Sequence, residues 1–235
     1  MVIATARLPA GTPAVVAVVC DGVSTTPDAA TASLAAAEAG AGVLVRAISS
    51  GKDPAEASQI AMAAAAAAVA SLATGTGAGA PSTTYVAAVV TTTAVTVAWV
   101  GDSRAYWLAG TDPAQSARLT DDDSWAEQQV ASGELTEAEA YADPRAHTIT
   151  RWLGADADEI RPHVVTFTPA APGAVLVCSD GVWNYVPAAS ALAAAVPQAR
   201  SAPLDAAREL VRISLNAGGA DNITAVLVPF PAQPS

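Results

Sequence analysis

The chain has 235 residues, which is enough for one large domain or two small ones with a substantial hydrophobic core. Its net charge is −11 and no basic patch is visible, so we expect no nucleic-acid partner. The excess of carboxylates either serves solubility alone or reflects a cluster that binds cations.

The first third of the chain predicts one strand and two helices. Residues 15–20 form an apolar run typical of a fully buried strand. Thr26 is expected to be the N-cap of the first helix, and Asp53 that of the second, with Glu56 completing a capping box. The glycine-rich stretch 74–82 ends the second helix and lacks the Lys-Ser/Thr pair of a phosphate-binding P-loop.

The rest of the chain predicts mainly strands, with a polar segment between them. Three runs rich in Val, Thr, Tyr and Trp follow one another over 83–109, with the spacing of a meander. The segment 124–150 is polar and partly helical, which is typical of an insertion or of a mobile flap over a site, and we interpret it as a flap. Two strands, a helix and a last strand follow at 161–169, 173–181, 203–216 and 222–230. This order predicts an α+β protein with antiparallel sheets rather than regular βαβ alternation.

Several features indicate a cytoplasmic protein with no membrane partner. The N-terminus lacks the basic region, apolar core and cleavage site of a signal peptide. The alanine-rich run 61–73 is too short and too weakly apolar to span a bilayer. Cys20 and Cys178 show neither metal-ligand nor disulfide spacing, and we interpret both as buried thiols in strands.

Four aspartates stand at the ends of predicted strands. Asp21, Asp102 and Asp180 each follow an apolar run with glycine beside them, and Asp221 comes just before the last strand. One such residue is usually a turn aspartate, but four at the same kind of boundary suggest a common purpose. If these strand ends converge, the repulsion between the carboxylates must be offset by cations. Oxygen ligands without a His or Cys cluster suit Mg²⁺ or Mn²⁺, and a pair of such ions can grip a phosphate.

Seven segments in order along nearly the whole chain resemble the metal-dependent protein serine/threonine phosphatases of type 2C, and in particular their bacterial members. Each motif alone is weakly specific, but the seven in this order are highly specific. They are CDG at 20–22, ATAS at 30–33, GDSRAYWL at 101–108, LTDDDSWAEQQVASGEL at 119–135, TRWLG at 150–154, LVCSDGVWNYV at 176–186 and DNITAVLV at 221–228.

The resemblance implies a fold and a reaction. The fold is a sandwich of two antiparallel β-sheets flanked by helices, here a single domain over 1–235 with the flap at 124–150. The reaction is hydrolysis of phosphoserine or phosphothreonine in proteins by a metal-bridging hydroxide that attacks phosphorus in line. The partners are a phosphorylated protein and a Ser/Thr kinase that produces it.

The resemblance also implies the metal ligands. Two ions, Mg²⁺ or Mn²⁺, lie at one end of the sandwich. Asp21 bridges both, and the carbonyl of Gly22 binds one of them. Asp180 and Asp221 complete the ligands of the other ion, and Asp102 helps Asp180 to hold a possible third. No side chain is assigned as the catalytic group, and the substrate-binding residues stay unassigned.

Three departures from the family pattern stand out. The family's opening motif, R-x-x-N-E/Q-D, is missing, and we expect it to be encoded directly upstream of Met1, in a longer form of the protein. Residues 23–25 are Val-Ser-Thr where bacterial members have Met-Gly-Gly, and Asp123 stands where they have a histidine. No histidine lies near Asp21 in the sequence, so we expect water or another acid to protonate the leaving group.

These departures keep a second function open, namely a weak or inactive phosphatase-like domain that binds metal and phosphorylated protein. The absence of a G-x-S-x-G motif argues against a Ser-His-Asp hydrolase. Arg104 is expected to bridge to a carboxylate rather than to bind substrate. His147 and His163 are far apart, and we expect each to have a structural or surface role.

Overall fold

Two antiparallel sheets form the centre of the molecule in this computed structural model, which describes residues 1–9, 11–73, 79–157 and 160–232. The predicted break at 74–82 lies largely outside them. The first sheet has the order β1-β2-β4-β5-β9, the second has the order β11-β10-β6-β7, and β3 pairs with β8 in a short ribbon. The strands are β1 Val2–Arg7, β2 Pro13–Val19, β3 Ser82–Thr83, β4 Tyr85–Val90, β5 Val95–Val100, β6 Arg104–Ala109, β7 Ala117–Arg118, β8 Leu153–Gly154, β9 His163–Phe167, β10 Gly173–Cys178 and β11 Ala225–Phe230.

Helices cover the outer face of each sheet. One apolar cluster joins the first sheet to α1 and α2, and another joins the second sheet to the helices that follow β10. The helices are α1 Ala29–Ser49, α2 Pro54–Ala70, α3 Trp125–Ser132, α4 Glu137–Ala142, α5 Asp180–Trp183, α6 Ala189–Ala195 and α7 Pro203–Asn216, with a 3₁₀ turn at Pro113–Gln115. The prediction of an α+β sandwich flanked by helices is confirmed.

The apolar sequence of the central strands follows from their position between two layers. A cluster of valines and aromatic rings, including Trp99, Trp107 and Phe230, lies between the sheets. Every residue of strands β4, β5 and β10 is buried, so both faces of these strands are covered. A strand buried on both faces reads as a continuous apolar run rather than as an alternating one. The buried valines supply the stability that holds the strand ends in place.

Helix α1 is long and apolar enough to cross a membrane by length and composition alone. Within the fold, however, 44% of its most apolar stretch is buried. It packs against α2, β1 and β2 through small residues such as Ala36, Ala37 and Gly40. This is the pattern of a helix that covers a sheet.

The predicted helix starts are partly wrong. Helix α1 begins at Ala29 rather than at Pro27, with Asp28 at the N-cap and no side-chain cap. The Thr26 hydroxyl instead donates to the carbonyl of Val23, at 2.7 Å, and closes a turn in the preceding loop. Asp53 does cap α2, accepting from two backbone amides, but the Glu56 carboxylate binds Lys52 and does not complete the capping box.

Segment 124–150 forms a helical hairpin beside the sandwich. Helices α3 and α4 pack on a small cluster of three buried alanines, Ala126, Ala140 and Ala146. Thr136 and Glu139 form a complete capping box at the start of α4. That segment 124–150 is mobile and contacts the substrate stays a prediction.

Candidate active site

Four strand-end aspartates line one cavity of about 160 Å³. Asp21, Asp102 and Asp180 each stand two residues beyond the last residue of β2, β5 and β10. Strands β2 and β5 run parallel to each other because β4 lies antiparallel between them, so both end at the same edge of the first sheet. Asp221 precedes β11, the antiparallel partner of β10, and therefore meets Asp180. The structure thus brings all four predicted carboxylates, with Gly22, to one end of the sandwich.

The carboxylates disturb one another's titration. Burial, followed by repulsion from the neighbouring Asp180, Asp221 and Asp102, raises the pKa of Asp21 to about 8. Burial and then Asp180 raise the pKa of Asp102 to about 7. Burial and Asp221 also raise the pKa of Asp180, whose carboxylate is hydrogen-bonded to Asp21. Without a cation, the cluster therefore keeps at least one proton near neutral pH.

One carboxylate oxygen in the cavity lacks a partner among the described residues. Oδ1 of Asp180 is buried and makes no hydrogen bond, whereas its Oδ2 accepts from Asn184 at 3.3 Å. A buried unpaired carboxylate oxygen is costly, and a cation would satisfy it. The oxygen donors that face the cavity therefore suit a hard divalent cation.

The side chains do not form a closed metal cage. In the parts of the chain that the structure describes, no three His, Cys, Asp or Glu side chains are grouped tightly enough to hold a metal ion. Mg²⁺ usually keeps several water ligands and takes one or two carboxylates directly. Carboxylates spread over the walls of one cavity are compatible with that mode of binding.

Both Asp-Gly pairs require glycine for steric reasons. A Cβ at position 22 would lie 2.3 Å from the carbonyl oxygen of Ala29, where α1 begins. A Cβ at position 181 would lie 2.4 Å from the carbonyl oxygen of Asn222. The glycines let the backbone after each aspartate pass close to a neighbouring segment, which fixes the direction of the carboxylate.

Two threonines that the sequence analysis did not single out hold Asp21 in place. The amide of Asp21 donates to the Thr84 hydroxyl at 3.0 Å, and its carbonyl accepts from the Thr83 hydroxyl at 2.8 Å. The Thr84 hydroxyl also lies 2.7 Å from that of Ser103, the neighbour of Asp102. The buried threonines thus link two of the carboxylate-bearing loops.

Arg104 has the structural role expected of it. Its guanidinium binds the buried Asp122 through two bonds of 2.8 and 2.6 Å and lies 3.5 Å from the ring centroid of Trp183. The indole nitrogen of Trp183 donates to the carbonyl of Asp102 at 2.9 Å. The pair therefore supports the backbone of one of the cavity aspartates.

One histidine lies nearer the cavity than expected. His147 is exposed, but the helical hairpin brings it to the wall of the cavity, 5.8 Å from the ring of Trp183. No histidine lies near Asp21 along the chain, but the fold places His147 in the lining of the same cavity. That water or another acid protonates the leaving group stays a prediction. The only feature of the sequence that could have placed His147 near the cavity was its position in the predicted flap.

His163 and Asp123 both have structural partners. The ring of His163 stacks on Trp99, with centroids 4.9 Å apart, and its Nε2 lies 3.0 Å from Asp123 Oδ1. The other oxygen of Asp123 accepts from the amide of Gly101 at 3.0 Å, directly before Asp102. Aspartate at this position therefore secures the turn that carries Asp102.

The metal-free protein is expected to lose stability as the pH rises from about 4 to about 8. An unfolded aspartate has a pKa of about 3.9. The folded state, with the pKa of Asp21 raised to about 8, binds more protons than the unfolded state in this range, so stability falls with rising pH. Thermal unfolding in EDTA at about pH 5 and pH 8 measures the effect, and Asp21→Asn should reduce it. The same pH dependence in wild type and variant would contradict this prediction.

The curated proteins that the chain resembles include bacterial protein phosphatases. No model of a protein family matches the chain. It is 33% identical over 147 residues to the serine/threonine phosphatase stp of Listeria innocua, covering 62% of this chain and 56% of that protein. It is 34% identical over 150 residues to protein phosphatase PhpP of Streptococcus pneumoniae, covering 63% and 57%. The chain thus spans just over half the length of these curated relatives.

Solved structures resemble the whole chain. The serine/threonine phosphatase of S. agalactiae superposes with a TM-score of 0.75 at 22% identity, covering 99% of this chain and 92% of that one. The PstP/Ppp phosphatase of Mycobacterium tuberculosis gives 0.72 at 23% identity, covering 99% and 97%. The catalytic domain of PstP in complex with two manganese ions gives 0.65 at 22% identity, covering 96% and 94%. The resemblance to the bacterial type 2C phosphatases is confirmed.

Proposed function

We propose that this chain, a sequence relative of bacterial serine/threonine phosphatases with their fold, hydrolyses phosphoserine and phosphothreonine in proteins with the help of divalent cations. The observation that carries the proposal is the convergence of four strand-end carboxylates on one cavity. The names of the relatives support the reaction, and the manganese-bound PstP structure supports the need for metal.

The cavity offers ligands for two ions, Mg²⁺ or Mn²⁺. Asp21 would bridge them with the carbonyl of Gly22 beside it, and Asp180 and Asp221 would complete the set, leaving Asp102 with Asp180 for a third. When bound, such ions supply positive charge that neutralises the phosphoryl oxygens, and they make water more acidic.

The residues of the chain prepare the cavity for this charge. A bound cation would lower the raised pKa of Asp21, because it would offset the repulsion from Asp180, Asp221 and Asp102. Oδ1 of Asp180, which has no hydrogen-bond partner among the described residues, would help to hold that cation. Thr84 and Trp183 keep the loops of Asp21 and Asp102 fixed, so little reorganisation accompanies binding.

The substrates would be products of a Ser/Thr kinase. We also infer a cytoplasmic setting, which two buried free thiols, Cys20 and Cys178, support because disulfides are rare there.

Cation binding is expected to raise the thermal stability of the protein. At a hundredfold excess over its dissociation constant, a cation that binds only the folded state adds about 2.7 kcal/mol. Asp180→Asn should reduce the shift caused by Mn²⁺, because it removes the carboxylate with the unpaired oxygen. Asp205→Asn, at an exposed position of α7 beside Arg208, is the matched control and should respond as wild type does. Equal shifts in all three proteins would remove the cavity as the metal site.

The activity itself is tested with p-nitrophenyl phosphate and a phosphothreonine peptide, with and without Mn²⁺ or Mg²⁺. Cation-dependent release of phosphate from both would support the phosphatase. Cation and phosphopeptide binding without release would favour the alternative, a phosphatase-like binding domain.

A further inference from the structure

A larger cavity lies beside the carboxylate cavity. Its volume is about 990 Å³, at the upper end of the range of about 300–1,000 Å³ that is typical of ligand sites. Its walls come mainly from α4, from the 3₁₀ turn with β7, and from residues 183–190, which run from the end of α5 to the start of α6. We call it the apolar groove, because small or apolar residues dominate its lining, among them Ala117, Ala138, Tyr141, Trp183, Pro187 and Ala189.

The apolar groove adjoins the carboxylate cavity. His147 lines both of them. Trp183 forms part of the groove wall, and its indole donates to the carbonyl of Asp102 in the carboxylate cavity. At about 160 Å³, the carboxylate cavity can take a phosphorylated side chain but not the main chain on either side of it. A substrate anchored there would have its neighbouring residues at the mouth of the groove.

The charged side chain of the groove that is not neutralised by an ion pair is acidic. Arg104 is bound to Asp122, and Arg118 binds Glu127 at 2.7 Å and Asp121 at 3.2 Å. Glu137, at the start of α4, lines the groove and has no ion-pair partner among the residues that the structure describes. The chain as a whole carries a charge of −11. A polypeptide segment that fits the apolar groove would therefore carry small or apolar side chains and a basic residue.

We propose that the apolar groove binds the stretch of substrate protein next to the phosphorylated residue, and that Glu137 selects substrates with a Lys or Arg in that stretch. The proposal rests on the proposed phosphatase function and adds to it a class of substrate sequence. A peptide on an apolar surface gains from burial, whereas the single exposed charge sets preference more than affinity.

Charge reversal tests the proposed selection. The substrates are pairs of phosphothreonine peptides that carry either Lys or Glu at one position, and this position is moved stepwise along the peptide on both sides of the phosphothreonine. The kcat/KM for each peptide is divided by the kcat/KM for p-nitrophenyl phosphate. Wild type is expected to prefer Lys over Glu by about fivefold at one or two positions, as befits an exposed ion pair. Glu137→Lys should invert that preference. Glu134→Lys, an exposed residue of the same hairpin outside the groove, should keep it.

Obstruction tests the groove itself. Ala138→Trp fills the groove from α4, and Ala142→Trp places the same ring on an exposed position of that helix outside the groove. The first should raise KM for peptides about tenfold relative to p-nitrophenyl phosphate, and the second should not. Thermal unfolding checks that both variants fold. An equal effect of the two variants, or no Lys preference at any position, would overturn the proposal.

The role of the groove can be tested even if the protein shows no phosphatase activity. If p-nitrophenyl phosphate is not hydrolysed with any cation, the phosphatase proposal fails. Fluorescence anisotropy with the same labelled phosphopeptides then decides the groove: weaker binding to Ala138→Trp than to Ala142→Trp supports it, and equal binding overturns it.

Discussion

Asp21→Asn is expected to stabilise the metal-free protein and, at the same time, to abolish cation-dependent hydrolysis. The asparagine is nearly isosteric and can keep the contact with Asp180, but it carries no charge. It removes the repulsion that, after burial, raises the pKa of Asp21 to about 8. It also removes the carboxylate proposed to bind two cations, and we expect turnover to fall on the order of 10³-fold or more.

The two effects are measured separately. Thermal unfolding in EDTA at about pH 8 should give a higher midpoint for Asp21→Asn than for wild type. For a chain of this size, each kcal/mol corresponds to about 2–4 °C. Hydrolysis of p-nitrophenyl phosphate with Mn²⁺ gives the loss of activity, and Asp205→Asn is again the control. A variant that is both less stable and inactive would show that Asp21 supports the fold rather than carrying a strained charge.

The position of the carboxylates could be predicted from the sequence because local pattern and topology agree there. Asp21, Asp102 and Asp180 each directly follow a valine-rich strand, and the end of such a strand is visible without a structure. The helix starts were less predictable. Thr26 has the chemistry of an N-cap, yet its hydroxyl closes a turn with Val23, since Ser, Thr and Asp serve turns and caps equally well.

The surroundings of the carboxylates depend on packing between distant segments. His147 reaches the cavity because the hairpin of α3 and α4 folds back toward Trp183. The apolar groove is lined mostly by small and apolar residues from separate segments, and such residues carry no local signal of binding. The role of Asp123 could not be predicted from the sequence either, because its hydrogen bond with the amide of Gly101 joins segments that are distant along the chain.

Arg104→Met is expected to destabilise the protein by about 3–5 kcal/mol, because it leaves the carboxylate of Asp122 buried without its partner. Both side chains are almost fully buried, at 4% and 2% exposure, and two short hydrogen bonds join them. The methionine fills much of the volume against Trp183, so the loss of the ion pair, rather than a cavity, dominates the change. Urea unfolding of the metal-free protein measures the difference in the free energy of unfolding.

A double variant separates the ion pair from its setting. Arg104→Met combined with Asp122→Leu removes both charges and should recover most of the lost stability, since a buried pair replaced by apolar side chains is often neutral. Arg118→Met is the matched control: its guanidinium is 30% exposed and binds carboxylates near the surface, so its loss should cost less than about 1 kcal/mol. If the double variant is as unstable as the sum of the single ones, the guanidinium stabilises the fold through Trp183 and Tyr106 rather than through Asp122. In that case, the Trp183 bond to the carbonyl of Asp102 should weaken too, and the stabilisation by Mn²⁺ should fall in Arg104→Met.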